Sequence, residues 1–460
     1  MDLKPEKEFD AIVIGTGQSG PPLVRRLVAA GQRVAIIERG RFGGTCVNTG
    51  CIPTKTMVAS AYAAHMARRA AEYGVVIDGE VTVDMKRVKA RKDGVLGKSR
   101  DGLEQSLKTL ENCTVYQEHA RFESPRIVRA GQERLTAPRI FIDVGGRAAI
   151  PAIRGLEETG YLTNSTMMDV DFLPRHLIAV GGSYIGLEFA QMFRRFGSEI
   201  TILEKGPRLL PREDKDTSAA VQEFLEIEGI NVRLNARNIE FSKTPEGVIA
   251  RVDGAPAASG SHVLLAAGRR PNTDDLGLEK AGVEVDEHGY IKVDEQLRTS
   301  VPGIWATGDC NGRGAFTHTS YNDFEIVAAN LLDNDPRRLS DRITAYAVYT
   351  DPPLGRAGLT EAEVRRSGRP ALIGKRRMTR VARAIEKGEP YGFMKILIDA
   401  ETKAILGAAI LGTGGDEAIH SILDVMYARV PYTVIQRAVH IHPTVSELIP
   451  TMLEDLKPLN

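Results

Sequence analysis

Asp10–Gly20 reads DAIVIGTGQSG, a short apolar run leading into three glycines in G-x-G-x-x-G spacing. A helix-favouring segment, PPLVRRLVAAG (21–31), and a second apolar run, RVAIIE (33–38), follow directly. Strand, glycine turn, helix and strand make a βαβ unit of the kind that holds a dinucleotide. Each glycine has its own reason. Gly15 permits the tight turn, Gly17 lets backbone approach a pyrophosphate, and Gly20 lets helix and strand pack closely. The helix then offers phosphate its unpaired N–H groups and its positive dipole end. Glu38, 23 residues past the first glycine, can accept hydrogen bonds from a ribose. A lone G-x-G-x-x-G is a weak signal, but here strand, helix and distal acid all fall in place.

The arrangement recurs. His176–Val180 (HLIAV) leads into Gly181-Gly182-Ser183-Tyr184-Ile185-Gly186, then a helix, then EITILE ending at Glu204, again 23 residues past the first glycine. Ser183 replaces the second glycine and needs more room near a pyrophosphate. Two such units imply two dinucleotides or one duplicated domain, and the two-cofactor reading is the stronger. Between them, Val83–Glu111 is charged and helix-favouring; its basic start, MKRVKARKD, reads as a solvated helix face rather than a docking patch. The segment 114–146 looks β-rich, and Pro151 starts the crossover to a second domain. Gly303–Thr307 reads as a strand ending in an exposed Gly308-Asp309. From about Arg342 the pattern changes to β segments with two amphipathic helices, a third domain. The fold class is α/β: two Rossmann-like units plus an α+β C-terminal domain.

Gly43–Lys55 reads GGTCVNTGCIPTK, which places two of the chain's four cysteines beside the first unit. Five residues of regular helix advance about 7.5 Å, so Cys46 and Cys51 can bridge only across a distorted first turn, for which Gly50 supplies freedom. Pro53 is tolerated near a helix start. Both cysteines are therefore expected at one helix N-terminus, where the dipole favours a thiolate. The spacing is wrong for a zinc half-site, and no second pair completes one, so no metal site is expected. Cys113 and Cys310 read as structural. Near the C-terminus, in HIHPTVSE (440–447), His442 has Glu447 five residues on to orient its ring, which suits a proton carrier for thiols. His440 lacks such a partner.

Lys plus Arg and Asp plus Glu balance at 60 each, so no global field gathers nucleic acid or anionic lipid. No apolar run is long enough to cross a bilayer. The start, MDLKPEKEFD, lacks an apolar signal-peptide core. A cytoplasmic location is expected, where closely spaced cysteines are catalytic or metal-binding rather than staples.

These strings resemble the pyridine nucleotide–disulfide oxidoreductases, which include lipoamide dehydrogenase, glutathione reductase and mercuric reductase. The resemblance runs along essentially the whole chain, and GGTCxNxGCxPxK with HPTxSE is highly specific. It implies a homodimer with an FAD domain in two parts (1–150 and 271–340), an NAD(P) domain (151–270) and an interface domain (341–460). By it, Gly15, Gly17, Ser19, Gly20, Glu38, Gly44, Thr45, Lys55, Ala120, Gly145 and Asp309 would serve FAD. Ala315, Phe316, Thr317 and His318 would meet the flavin ring. Gly181, Ser183, Tyr184, Ile185, Gly186, Glu204 and Gly268 would serve NAD(P), with Tyr184 covering the nicotinamide pocket. Lys55 and Glu188 would pair beside the flavin. Hydride would pass from NAD(P)H to FAD and on to a Cys46–Cys51 disulfide. Cys51 would form the thiolate facing the flavin, and Cys46 would attack a disulfide substrate. His442 of the partner subunit, backed by Glu447, would be the acid–base.

The chain departs from the family in places. Ser183 breaks the second fingerprint, as in mercuric reductases, and Asp143-Val144-Gly145-Gly146 replaces a common Ala-Thr-Gly run. It lacks a vicinal cysteine pair near its C-terminus and keeps His442, which weighs against Hg(II) as main substrate. The alternative reading is mercuric-reductase-like electron transfer to a metal ion or quinone. Glu204 should favour NADH over NADPH, although Lys205 and Arg208 partly offset its charge. Arg380 and Arg383 are placed either against an anionic substrate or on the surface.

Overall fold

The computed structural model describes residues 6–459; the reading of the N-terminal stretch thus falls partly on residues 1–5, outside the described residues. Ile304–Ala306, Ile140–Ile142, Ala11–Ile14, Val34–Ile37 and Cys113–Tyr116 form, in that order, one parallel sheet. Ala11–Ile14 and Val34–Ile37 are buried throughout, because both faces of the sheet are covered. Helix Gly20–Ala29 lays Leu23, Val24 and Leu27 against it, and its early prolines sit where a missing N–H costs nothing.

Leu162–Thr163, His262–Leu265, His176–Val180, Glu199–Leu203 and Asn231–Arg233 make a second parallel sheet of the same width. Each sheet carries a three-stranded antiparallel meander. The first is Ala120–Ser124, Ile127–Ala130 and Glu133–Thr136; the second is Glu240–Thr244, Gly247–Val252 and Ala255–Gly260. The chain leaves the first unit through Gly146–Ala148 and returns through Arg269–Pro271, which pair antiparallel. It then adds Ile304–Ala306 to the first sheet. The charged stretch after Val83 is helix Met85–Lys108, whose start Asp84 caps by accepting from the N–H groups of Lys86 and Arg87 (3.0 and 3.1 Å). Such a cap contributes about 1 kcal/mol.

The C-terminal region is a six-stranded antiparallel sheet around Phe393–Asp399 and Ile405–Leu411, both wholly buried. Sequence reading expects two amphipathic helices here, but among the described residues five form: Glu361–Ser367, Ala382–Glu386, Gly415–Tyr427, Thr433–Gln436 and Leu448–Met452. Only Gly415–Tyr427 is long enough to display a helical repeat. An ion cluster fixes this region to the second unit. Buried Arg356 pairs with Glu213 and Asp214, while Lys395 lies 2.9, 2.8 and 2.6 Å from Asp214, Asp216 and Glu361. Removing one side of such a cluster costs about 3–5 kcal/mol. Among the described residues no helix is long and apolar enough to cross a membrane.

Candidate active site

The two glycine turns are built alike. Gly15 (φ +107°) and Gly181 (φ +113°) sit in a region closed to other residues, and a Cβ on either would strike a backbone oxygen, at 2.1 Å (Asp143) and 2.4 Å (Ala266). Gly20 and Gly186 touch their own turns, a Cβ lying 2.5 and 2.0 Å from the oxygens of Gly15 and Gly181. Glu38 accepts from the N–H groups of Thr16 (3.0 Å) and Gly40 (2.8 Å), and Glu204 from those of Gly182 and Gly206 (2.6 Å each). Both carboxylates keep lone pairs for ribose hydroxyls. Ser183 has extended backbone (φ −100°, ψ 179°) at the start of helix Tyr184–Phe196, so its backbone does not require glycine. Gly268 (φ +134°) accepts from the Ala149 N–H at 3.0 Å, and a Cβ on it would meet nothing closer than the Ala149 methyl at 3.9 Å.

A cleft of about 500 Å³ runs from Glu38 over Gly15 and Gly17 to Cys46, Cys51 and Lys55. Gly44 closes over it so tightly that a Cβ there would lie 2.9 Å from the Cα of Gly17. Thr45, Ala120, Gly145, Asp309, Tyr184, Ile185 and Ala315–His318 also line it. A ribose-accepting carboxylate at one end, bare glycine backbone in the middle and thiols at the other end fit an FAD. The Ser19 hydroxyl is wholly buried behind the loop, 2.8 Å from Thr307 Oγ1 and 3.2 Å from Ser320 Oγ.

The cysteines do not share one helix. Cys46 lies in helix Gly44–Asn48, and Cys51 opens helix Cys51–Arg68. Thr49 and Gly50 break the path between them (Gly50 φ −128°, ψ −117°), so the regular-helix separation does not apply. Both thiols are free, and they hydrogen-bond to each other. Accepting that bond from Cys46 pulls the Cys51 thiol down to about 6 against the opposing effect of burial, aided by Thr317 and by the Lys55 charge. Thr317 Oγ1 stands 3.1 Å from Cys51 Sγ. Donating the same bond, together with burial, pushes Cys46 up. The reduced pair thus keeps its proton on Cys46 and its charge on Cys51.

Lys55 Nζ lies 2.8 Å from Glu188 Oε2 and 4.4 Å from the centre of the Tyr349 ring. The other Glu188 oxygen accepts from the Tyr349 N–H (3.0 Å). Phe316 stacks between Tyr346 (5.6 Å) and His318 (5.5 Å), with Tyr184 at 5.7 Å. Burial raises the Tyr184 hydroxyl and lowers His318, whose Nε2 faces Ala345 O at 2.7 Å. Burial also raises Asp309, opposed by Arg269 3.4 Å away.

His442 Nδ1 lies 2.9 and 3.1 Å from the Glu447 carboxylate. The ring is 74% exposed and does not line the cleft of its own chain, so one protomer does not bring it to the thiols. Arg383 donates to Pro443 O (3.2 and 2.6 Å), which places it against the His442 loop, and Arg380 is exposed. Cys310 is buried, its thiol directed at Thr307 O (3.2 Å), and Cys113 lies in a strand. His440 Nδ1 stays with Ala438 O (3.2 Å). Sequence reading misses Arg269, Tyr349 and the carboxyl of Asp143 as parts of this site. Nothing local in the sequence signals where Arg269 reaches.

Residues 9–323 match the pyridine nucleotide-disulphide oxidoreductases, and 344–453 match that family's dimerisation domain. The chain is 35% identical over 448 residues to the probable pyridine nucleotide-disulfide oxidoreductase RclA of Escherichia coli (strain K12), covering 96% of this chain and 97% of that protein. It is 33% identical over 449 residues to a dihydrolipoyl dehydrogenase of Thermus scotoductus, covering 96% of each. A solved Cu(II) complex of HOCl-induced flavoprotein disulfide reductase RclA from Escherichia coli is 34% identical, with a TM-score of 0.89 over 97% of this chain and 100% of that one. The chain therefore belongs to the pyridine nucleotide-disulphide oxidoreductase family and is an FAD-dependent NAD(P)H:disulfide oxidoreductase that carries the family's dimerisation domain.

Proposed function

We propose that Cys46 and Cys51 are the redox pair through which this enzyme reduces, or reoxidises, a dithiol–disulfide substrate. The observation that carries this is the pairing of the two thiols at the end of the dinucleotide cleft, with the charge held on Cys51. FAD supplies two-electron exchange between nicotinamide and sulfur. Residues 1–150 with 271–340 would hold it, 151–270 would hold the nicotinamide nucleotide, and 341–460 would form the interface of a homodimer. Glu204 favours NADH, since a carboxylate there repels a 2′-phosphate.

When the Cys46–Cys51 bond takes up an electron pair, Cys51 keeps the charge beside Lys55 and Thr317. Cys46 passes its proton to Nε2 of the partner subunit's His442 and attacks one sulfur of the substrate disulfide. The departing thiolate takes a proton from the partner subunit's His442, whose Nδ1–H is held by Glu447 so that Nε2 is the exchanging atom. Attack of Cys51 on Cys46 then frees the second thiol and restores the disulfide. The cysteine usage supports a cytoplasmic setting.

Anaerobic titration with NADH tests this reading. A long-wavelength absorbance from a thiolate against the flavin is expected, and simple bleaching counts against it. The band should fade as pH falls through about 6, because Cys51 then takes up a proton. A second reading, electron transfer to a metal ion, draws on the Cu(II) complex known for the Escherichia coli relative. His442→Ala separates the two: disulfide turnover should fall about 10²–10⁴-fold while metal reduction persists.

A further inference from the structure

The two glycine turns allow a residue-by-residue comparison of what lies beneath them. Asp143 N donates to Ile14 O and Ala266 N to Val180 O, each at 2.8 Å, at the ends of corresponding strands. A Cβ on Gly15 would strike Asp143 O, and one on Gly181 would strike Ala266 O. A Cβ on Gly20 would meet the Asp143 carboxylate at 3.1 Å, and one on Gly186 the Ala266 methyl at 3.4 Å. Asp143 and Ala266 are thus the same position in the two units. One holds a carboxyl and the other a methyl.

That carboxyl is 5% exposed and accepts from the Gly20 N–H at 2.8 Å, at the start of the helix that faces the diphosphate of a bound dinucleotide. A Cβ on Gly17 would lie 2.8 Å from it, so the carboxyl sits directly under the loop. The charged groups that face it are acids: Asp309 and Glu38, with Asp323 and the Cys310 thiol behind. The nearby cations are engaged elsewhere, Arg269 with Asp309 and Arg342 with Asp323. Burial among these acids pushes Asp143 up to about 7.

We propose that Asp143 links FAD binding to the uptake of one proton, so that the enzyme holds its flavin more tightly as pH falls. Placing diphosphate charge over Gly15–Gly17 adds a further negative group beside a carboxyl that has no cation, and solvent supplies the proton that neutralises it. No electron moves, and no bond beyond that O–H is made. The second unit, with Ala266, has no such linkage. The proposal rests on the reading of Gly15–Gly20 as the FAD diphosphate site.

Release of FAD from the diluted holoenzyme, followed by flavin fluorescence between pH 6 and 9, tests this. In the wild type the dissociation constant should rise toward about tenfold per pH unit above about 7. Asp143→Asn, or Asp143→Ala copying the second unit, should remove that slope. Should neither variant fold, calorimetry of FAD rebinding to wild type at pH 8 in two buffers of different ionisation enthalpy should report close to one proton taken up. Equal slopes in wild type and variant, or no proton uptake, overturn the proposal. Glu38→Gln reports on the site itself: if FAD release is unaffected by it, the site reading fails, whereas weaker FAD in Glu38→Gln together with an Asp143→Asn slope equal to the wild type's sinks only the proton linkage.

Discussion

The first nucleotide unit and the second share the order of four sheet strands, a meander, a glycine turn and a distal glutamate, yet the chain treats them differently. Over the first turn, Gly44 closes to within a Cβ's width of Gly17, and the Cys46 and Cys51 helices complete the cleft. The residues that line that cleft include Gly15 and Gly17 but none of Gly181, Ser183 and Gly186. One architecture is thus enclosed at the first turn and left open at the second. The difference lies in what the rest of the chain lays on top of the turn, not in the turn.

The largest test asks whether chemistry belongs to the first unit alone. Cys46→Ser should lower disulfide turnover by ~10³-fold or more while leaving the NADH KM and the flavin in place, because serine lacks a nucleophilic thiolate. A parallel loss of NADH binding would break the separation of the two units. Next come the glycines that touch their own turns. Gly20→Ala and Gly186→Ala each press a methyl onto a backbone oxygen and should cost about 1–3 kcal/mol. The first variant should be isolated pale, and the second should stay yellow with a raised NADH KM. The smallest effect is expected at the second unit's ribose end. Glu204→Gln should raise the NADH KM about tenfold and narrow the gap to NADPH, since a neutral amide no longer repels a 2′-phosphate. A preference for NADPH in the wild type would reverse that assignment.

What the sequence reveals follows from distance along the chain. Both βαβ units are legible because their turns, helices and distal acids lie within 23 residues of the first glycine. The Lys55–Glu188 pair joins residues 133 apart, and only the resemblance to a family anticipates it. The break at Thr49–Gly50 is hidden because Gly50 advertises freedom without saying which way the chain turns. The place of the Ser19 hydroxyl is hidden for a related reason: it turns inward to Thr307, 288 residues away. The four short C-terminal helices beside Gly415–Tyr427 defeat periodicity, since four to seven residues do not complete two turns of pattern.

The antiparallel pairing of Arg270 with Arg147, flanked by Arg269 with Ala148 and Pro271 with Gly146, brings the exit and the re-entry of the inserted unit side by side. A single doorway serves both directions of travel. The inserted unit therefore joins its host without stretching the host's strand spacing.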